Sequence, residues 1–286
     1  MIRPRKRVLF LTNNRLEHPR SKMYGEVITR EHDLTVIEHI ERSTPLKLIN
    51  HLFFGRNFQI GCLRHSRKLS NYDVVVLQNT QMLPLAPIAR ALGARVIFDS
   101  LDLTPYLNEY NLSRKHKVLK PLYMLQRIFY WWLEQAIVAA FCESALCNSA
   151  YLARRFSAKG HEALYASYLD GLLNDPTKPS ALLYLGIFSR EKGAYETLEL
   201  ARRLNAKLFV FGEVTVKDFS QKSAGLSVSC AERLNQEDLK SQLRTLLESY
   251  FLWGVSLLGD ENFSYAVQEA NKDIDYLAMG APIIGN

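Results

Sequence analysis

The chain has 286 residues, 48% of them hydrophobic and 23% charged, with 14 Gly and 10 Pro. That length exceeds one typical domain and suits two, and the composition excludes a disordered, collagenous or coiled-coil chain. The formal charge of +7 is uneven: residues 1–150 hold 21 basic and 12 acidic side chains, net +9, while residues 151–286 hold 15 and 17, net −2.

In chain order, short apolar runs alternate with segments of helical period. Val8–Leu11 reads as a strand and Arg15–Arg30 as a helix; Leu34–Glu38, Asp73–Leu77 and Arg95–Asp99 read as further strands. The segment "MLPLAPIARALG" predicts a helix closed by Gly93, Lys117–Ala140 a long helix, and "ALCN" a strand. Residues Asp170–Ser180, "DGLLNDPTKPS", form the richest turn cluster and mark a boundary between domains 1–170 and 171–286. The pattern then restarts: strand Leu182–Leu185, helix Lys192–Leu204, strands Lys207–Phe211 and Leu226–Cys230, helix Gln236–Ser249, a strand near Gly254–Leu258, and a closing helix and strand. This alternation predicts α/β architecture, two Rossmann-like βα domains facing each other across a ligand-binding cleft.

Cys62, Cys142, Cys147 and Cys230 form no CxxC pair and no ligand spacing with His, which fits a reduced cytosolic setting. The basic N-terminus "MIRPRKRVLFLT" has too short an apolar run for a signal peptide core. The most apolar segment, "IFYWWLEQAIVAAF", holds Glu134 and Gln135 and falls short of the roughly 20 residues that span a bilayer.

Four stretches resemble the GT-B glycosyltransferases, specifically the retaining group that includes family 4. "HPRSKMYGEVITREHDLTVIE" is similar to the opening helix and second strand of that group, and "YDVVVLQNTQMLPLAPIARALGARVIFDSLDLTPYLNEY" to its strand–helix–strand ending in a "YDSHEL"-like turn. "YLGIFSREKGAYETLELARRL" resembles the opening of its second domain, and "NKDIDYLAMGAPII" resembles "NKLFEYLAAGKPVI". Such chains usually continue with further strands and helices, so the resemblance makes this one appear C-terminally short.

The physics of the last motif stands apart from the name. A helix starting near Asn271 or Lys272 offers free backbone N–H groups, a partial positive charge and the Lys272 ammonium to an anion such as a diphosphate. Asn271 and Asp275 are four apart and Lys272 and Asp275 three apart, on or near one face, with Ile274, Leu277, Ala278 and Ala281 recurring at packing spacing. The other reading is a capped surface helix with solvated charges. By resemblance Asp275 stands where the family has a Glu that binds ribose, one methylene shorter. Lys192 stands where the family places a Lys on the diphosphate; the Arg often found after the strand Gly is replaced by Ile187, with Arg190 nearby. Resemblance also brings the turns at Gly212 and Glu213, and at Ser229–Ala231, towards the sugar-nucleotide.

Catalysis in this group needs charge at the leaving phosphates, positioning and a polar group near the reacting carbon, usually without a protein-bound metal. The His of the family's first-domain turn is Leu101 here, leaving Asp99 and Asp102 as catalytic candidates or loop caps. Asn13, Asn14 and Arg20 follow the first strand and are expected on the acceptor side of the cleft. Glu261 and Glu269 mimic a paired-glutamate spacing, but read better as acidic residues on a solvated loop.

"PLKLINHLFFGRNFQIGCLRHSRKL" and "SRKHKVLKPLYMLQRIFYWW" interleave basic with apolar and aromatic residues. They fit either an inner-leaflet surface or a long helix with Trp131 and Trp132 on its core side. No base-reading motif accompanies the charge, so no nucleic acid partner is expected. The resemblance implies a cytoplasmic enzyme, peripheral on the inner membrane, that moves a hexose-like sugar from a nucleotide-diphospho-sugar to a glycan or lipid-linked acceptor in bacterial surface polysaccharide synthesis. It implies no bound cofactor and no metal. The alternatives are a non-catalytic GT-B-like scaffold, or a nucleotide-sugar epimerase of the same fold.

Overall fold

The computed structural model describes residues 4–12, 19–37, 60–101, 103–115, 117–163, 167–232, 234–258 and 271–286. The chain divides into two compact units, Met1–Tyr165 and Ala166–Asn286.

The first unit is built on a parallel sheet of β1 (Arg7–Leu11), β2 (Asp33–Ile37), β3 (Val74–Gln78), β4 (Arg95–Ser100), β5 (Ser144–Cys147) and β6 (Gly160–Glu162), in the order β2-β1-β3-β4-β5-β6. Every residue of β3 is buried, as expected of a central parallel strand covered on both faces. The helix Pro19–Glu31 covers one face, setting Tyr24 and Ile28 against Val8, Phe10, Val74 and Val76. Connections leave β1 and β3 in opposite directions, so the sheet's switch point lies between these neighbours.

Two helices, Thr104–Lys115 and Lys120–Phe141, join β4 to β5. The sequence predicts one helix from Lys117; the structure makes Lys117–Leu119 a separate 3-10 turn, because Pro121 has no N–H to continue a helix and belongs in a first turn. The two tryptophans part company. Trp131 meets Tyr106 edge-on at 5.4 Å and carries the Arg155 guanidinium 3.9 Å above its ring, whereas Trp132 is 68% exposed. Arg155 also pairs with buried Glu134 at 2.6 Å, and the Thr80 hydroxyl donates to that carboxylate at 2.8 Å.

The second unit carries β7 (Ser180–Leu185), β8 (Leu208–Phe211), β9 (Val228–Ala231), β10 (Phe251–Ser256) and β11 (Ile283–Gly285), in the parallel order β11-β10-β7-β8-β9. Counted within the unit this is 5-4-1-2-3, the doubly wound order with its switch point between β7 and β10. Strand alternation divides the core. Leu183 and Leu185 face the helices Gln236–Ser249 and Asn271–Ala278, while Leu182 and Tyr184 face Ala194–Leu204. The helix expected from Lys192 begins at Ala194, since Gly193 turns left-handed between a short 3-10 turn and the helix. The strand expected near Gly254 begins earlier, at Phe251, and takes the glycine into its middle.

Candidate functional site at the carboxyl end of the second sheet

In the second unit, β7 pairs with β10 as far as Leu183 and Gly254, and the ring of Tyr276 lies over Gly254. A Cβ at that glycine would stand 2.3 Å from the Tyr276 ring, so only Gly lets the ring lie there. The Tyr276 hydroxyl accepts from Leu185 N–H at 2.9 Å and lies 3.2 and 3.3 Å from the carbonyls of Leu183 and Val255. It bridges β7 and β10 at the switch point where an open α/β sheet forms its crevice.

The loop after β7 is pinned in the same place. The Tyr184 hydroxyl donates to the carbonyls of Ile187 and Lys192 at 3.1 and 2.9 Å. Gly193 has φ +75°, and a Cβ there would meet the Leu257 carbonyl oxygen at 2.3 Å. Gly212, at φ +143°, lies against Gly186, whose carbonyl oxygen would stand 2.2 Å from an added Cβ. Both positions demand glycine through conformation and through close backbone approach. Beyond them Phe188 and Val214 pair again as an isolated parallel bridge, with Phe188 N–H bonded to the Glu213 carbonyl.

Lys272 reaches this crevice from the helix Asn271–Ala278. Its ammonium lies 3.2 Å from the Val255 carbonyl and 4.2 Å from the centre of the Tyr184 ring, a cation–π arrangement. Burial, with repulsion from Lys192, lowers its pKa to about 8, against a partial upward pull from Asp273. Tyr184 links the two segments, 80 positions apart in sequence: its hydroxyl bonds to the Lys192 carbonyl and its ring carries the Lys272 ammonium. Asp273 beside them has its carboxyl pushed up by burial, opposed by a Ser256 hydrogen bond and by Lys272.

The other residues singled out from sequence fall as follows. Arg190 and Glu213 are exposed near these turns, and Arg190 acts electrostatically on Tyr195. Ile187 is 44% exposed after Gly186. The backbone of Asn271 opens the helix. Asp275 is 7% exposed and accepts from the Ser167 hydroxyl at 2.6 Å, with Tyr168 close enough for the carboxylate to help raise its phenol pKa after burial.

In the first unit, Asp99 is the penultimate residue of β4, with no exposed surface. Its carboxylate accepts from Tyr24 O–H at 3.2 Å and Gln78 N–H at 2.8 Å; Gln78 in turn accepts from the hydroxyls of Thr12 and Ser21. This buried network joins the carboxyl ends of β1, β3 and β4. Leu101 is buried, and its carbonyl accepts from Asn148. Arg20 lies in the helix Pro19–Glu31, while Asn13, Asn14, Asp102, Glu261 and Glu269 lie outside the described residues.

Sequence reading did not single out Tyr184, Tyr276, Gly193, Gly254, Thr12, Ser21, Tyr24 or Gln78. Only Gln78 carried a signal, a polar residue closing the run "VVVL". Among the described residues no group of His, Cys, Asp and Glu could hold a metal ion, and no helix is long and apolar enough to cross a membrane.

Two parallel doubly wound units in series are the building blocks of the GT-B fold, and comparison with solved structures shows that fold. HepE of Anabaena, in complex with UDP-glucose, superposes with a TM-score of 0.59 at 10% identity over 98% of this chain and 80% of that one. The same protein with UDP and glucose superposes equally, at 0.59. AviGT4, a glycosyltransferase involved in avilamycin A biosynthesis, gives 0.53 at 10% identity over 98% of this chain and 78% of that one. No family model and no curated protein matches the sequence.

Proposed function

We propose that this protein is a nucleotide-sugar-dependent glycosyltransferase of the GT-B type. The observation that carries the reading is that Tyr184, at the carboxyl end of the second sheet, holds the Lys192 backbone through its hydroxyl and the Lys272 ammonium, from the helix Asn271–Ala278, over its ring. Two ammonium groups and the positive end of a helix suit a diphosphate. The Val255 carbonyl and the Tyr184 ring hold Lys272 in place before any ligand arrives. In HepE the ligand in this fold is UDP-glucose, which supports a sugar-diphosphonucleotide donor here.

In this reading Lys192 and Lys272, with Arg190 at the rim, stabilise the charge that develops on the leaving diphosphate. The backbone at Gly212 and Glu213 borders the sugar-nucleotide, Asn271 binds the donor at the helix start, and Asp275, oriented by Ser167, holds the ribose. On the acceptor side the reading assigns Asn13, Asn14, Arg20 and Asp102. Asp99, fully enclosed by Tyr24 and Gln78, acts as a positioning group. Transfer is of a hexose with retention, to a glycan or lipid-linked acceptor of bacterial surface polysaccharide, by a cytoplasmic protein peripheral on the inner membrane. No metal or cofactor is required.

Titration calorimetry with UDP, GDP and their hexose conjugates tests the donor assignment. Binding of at least one at sub-millimolar concentration, lost in Lys272→Ala, is expected. Absence of binding by all of them at millimolar concentration removes the transferase reading and leaves a GT-B-shaped scaffold.

A further inference from the structure

The helix Lys120–Phe141 turns two opposite apolar faces outward and inward. Its buried residues, Tyr130, Glu134 and Val138, follow a four-residue spacing on one side. Leu122 (58% exposed), Leu125 (66%), Ile128 (47%), Phe129 (59%) and Trp132 (68%) lie on the other, and Val118 (92%) extends that face from the preceding turn. At 3.6 residues per turn the five residues within the helix fall within an arc of roughly 120° centred opposite the buried stripe, over about 15 Å of helix from Leu122 to Trp132. Residues 120–129 contain no buried position, so this half of the helix stands clear of the sheet.

The charge around this face has one sign. Residues 110–133 contain Arg114, Lys115, Lys117, Lys120 and Arg127 and no acidic residue. Arg127 is turned inward, paired with Glu109 at 2.7 Å and stacked 4.5 Å over the Tyr106 ring. Lys117 and Lys120 are exposed at the tip, next to Val118 and Leu119. A helix with bulky apolar residues on one open face and exposed lysines at its end matches an anionic bilayer surface: acyl chains take the apolar face, and acidic head groups the ammonium groups. A second copy of this chain fits less well, since it would bring the same basic segment to the shared surface.

We infer that the exposed face of residues 118–132 is a docking surface for an anionic lipid bilayer, with Phe129 and Trp132 in the interfacial layer and Lys117 and Lys120 on acidic head groups. The inference rests on the peripheral-membrane part of the functional reading and is independent of its donor chemistry. It gives that contact a place.

The test is co-sedimentation of the full chain with phosphatidylcholine vesicles and with mixed phosphatidylcholine–phosphatidylglycerol vesicles, together with tryptophan emission. The wild type binds the mixed vesicles and shows a blue shift. Leu125→Ser/Trp132→Ser binds at least tenfold more weakly and loses the shift. Lys117→Glu/Lys120→Glu loses roughly fivefold or more per lysine, and binding falls with salt. All four side chains are exposed, so far-UV circular dichroism and nucleotide affinity should match the wild type, which separates failure of this surface from failure of the donor site. Equal binding by wild type and Leu125→Ser/Trp132→Ser overturns the inference. So does indifference to phosphatidylglycerol, absence of vesicle binding, or a dimer in light scattering that the same double variant dissociates.

Discussion

Tyr276→Phe isolates one oxygen atom in the second unit. The side chain is fully enclosed, and its hydroxyl is the acceptor for Leu185 N–H at the point where β7 and β10 part. Phenylalanine keeps the ring over Gly254 and leaves the packing volume nearly intact, so the cavity contribution is small. What is lost is the acceptor for a buried amide and a hydroxyl donor within reach of the Leu183 and Val255 carbonyls. Leaving a buried donor unsatisfied costs about 1–3 kcal/mol. For a chain of this size about 2 kcal/mol corresponds to roughly 4–8 °C in the transition that includes the second unit. Chemical and thermal denaturation followed by circular dichroism measure the loss, and hydrogen exchange at Leu185 locates it. An unchanged melting temperature with unchanged exchange at Leu185 would refute the view that this hydroxyl holds the switch point together.

Donor affinity is expected to depend on pH through Lys272. Its pKa of about 8 in the free protein lies below the ordinary lysine value, so a bound diphosphate favours the protonated form, and affinity falls as pH rises through about 8. Calorimetry across that range should show the fall, and Lys272→Ala should bind more weakly with no such inflection. The same depressed pKa makes the lysine's contribution to stability rise between pH 8 and the unfolded-state value of 10.5, because the unfolded chain binds the extra proton there. Denaturation at pH 8 and pH 10 should differ less in Lys272→Met than in the wild type.

Gly193→Ala combines a left-handed φ with a Cβ 2.3 Å from the Leu257 carbonyl oxygen; nucleotide binding should be lost, with a stability decrease of several kcal/mol visible in urea titration. Arg155→Met leaves Glu134 buried without its partner and should destabilise the first unit by about 3–5 kcal/mol, whereas Arg155→Met/Glu134→Leu should recover part of that loss in the same assay. Asp275→Asn should cost stability as well as affinity, because the Ser167 hydroxyl bonds to that carboxylate; an affinity loss at unchanged melting temperature would assign it to the ligand alone.

The sequence already determined the alternation of strands and helices, since that is written in local periodicity: "VVVL" reads as a doubly covered strand, and Gln236–Ser249 appears as a helix with the bounds its pattern predicts. Lys272 at the head of a helix was legible for the same reason, as was Asn271 opening it. That the Lys192 segment lies beside it was suggested only by resemblance, because no local pattern links residues so far apart. The strand order puts them together, placing β7 and β10 side by side although β8 and β9 intervene in sequence. Tertiary structure likewise decided which side of the long helix is inside. Tyr106 and Arg155 claim Trp131, and its neighbour Trp132, about 100° around the helix, is left facing out. The polar residues Thr12, Gln78 and Asp99 carried no shared signature either, since each ends its own segment and they meet only because parallel strands bring their carboxyl ends to one edge. Periodicity is a property of neighbours in sequence, whereas these sites depend on sheet order and close backbone approach, which arise from packing between elements distant along the chain.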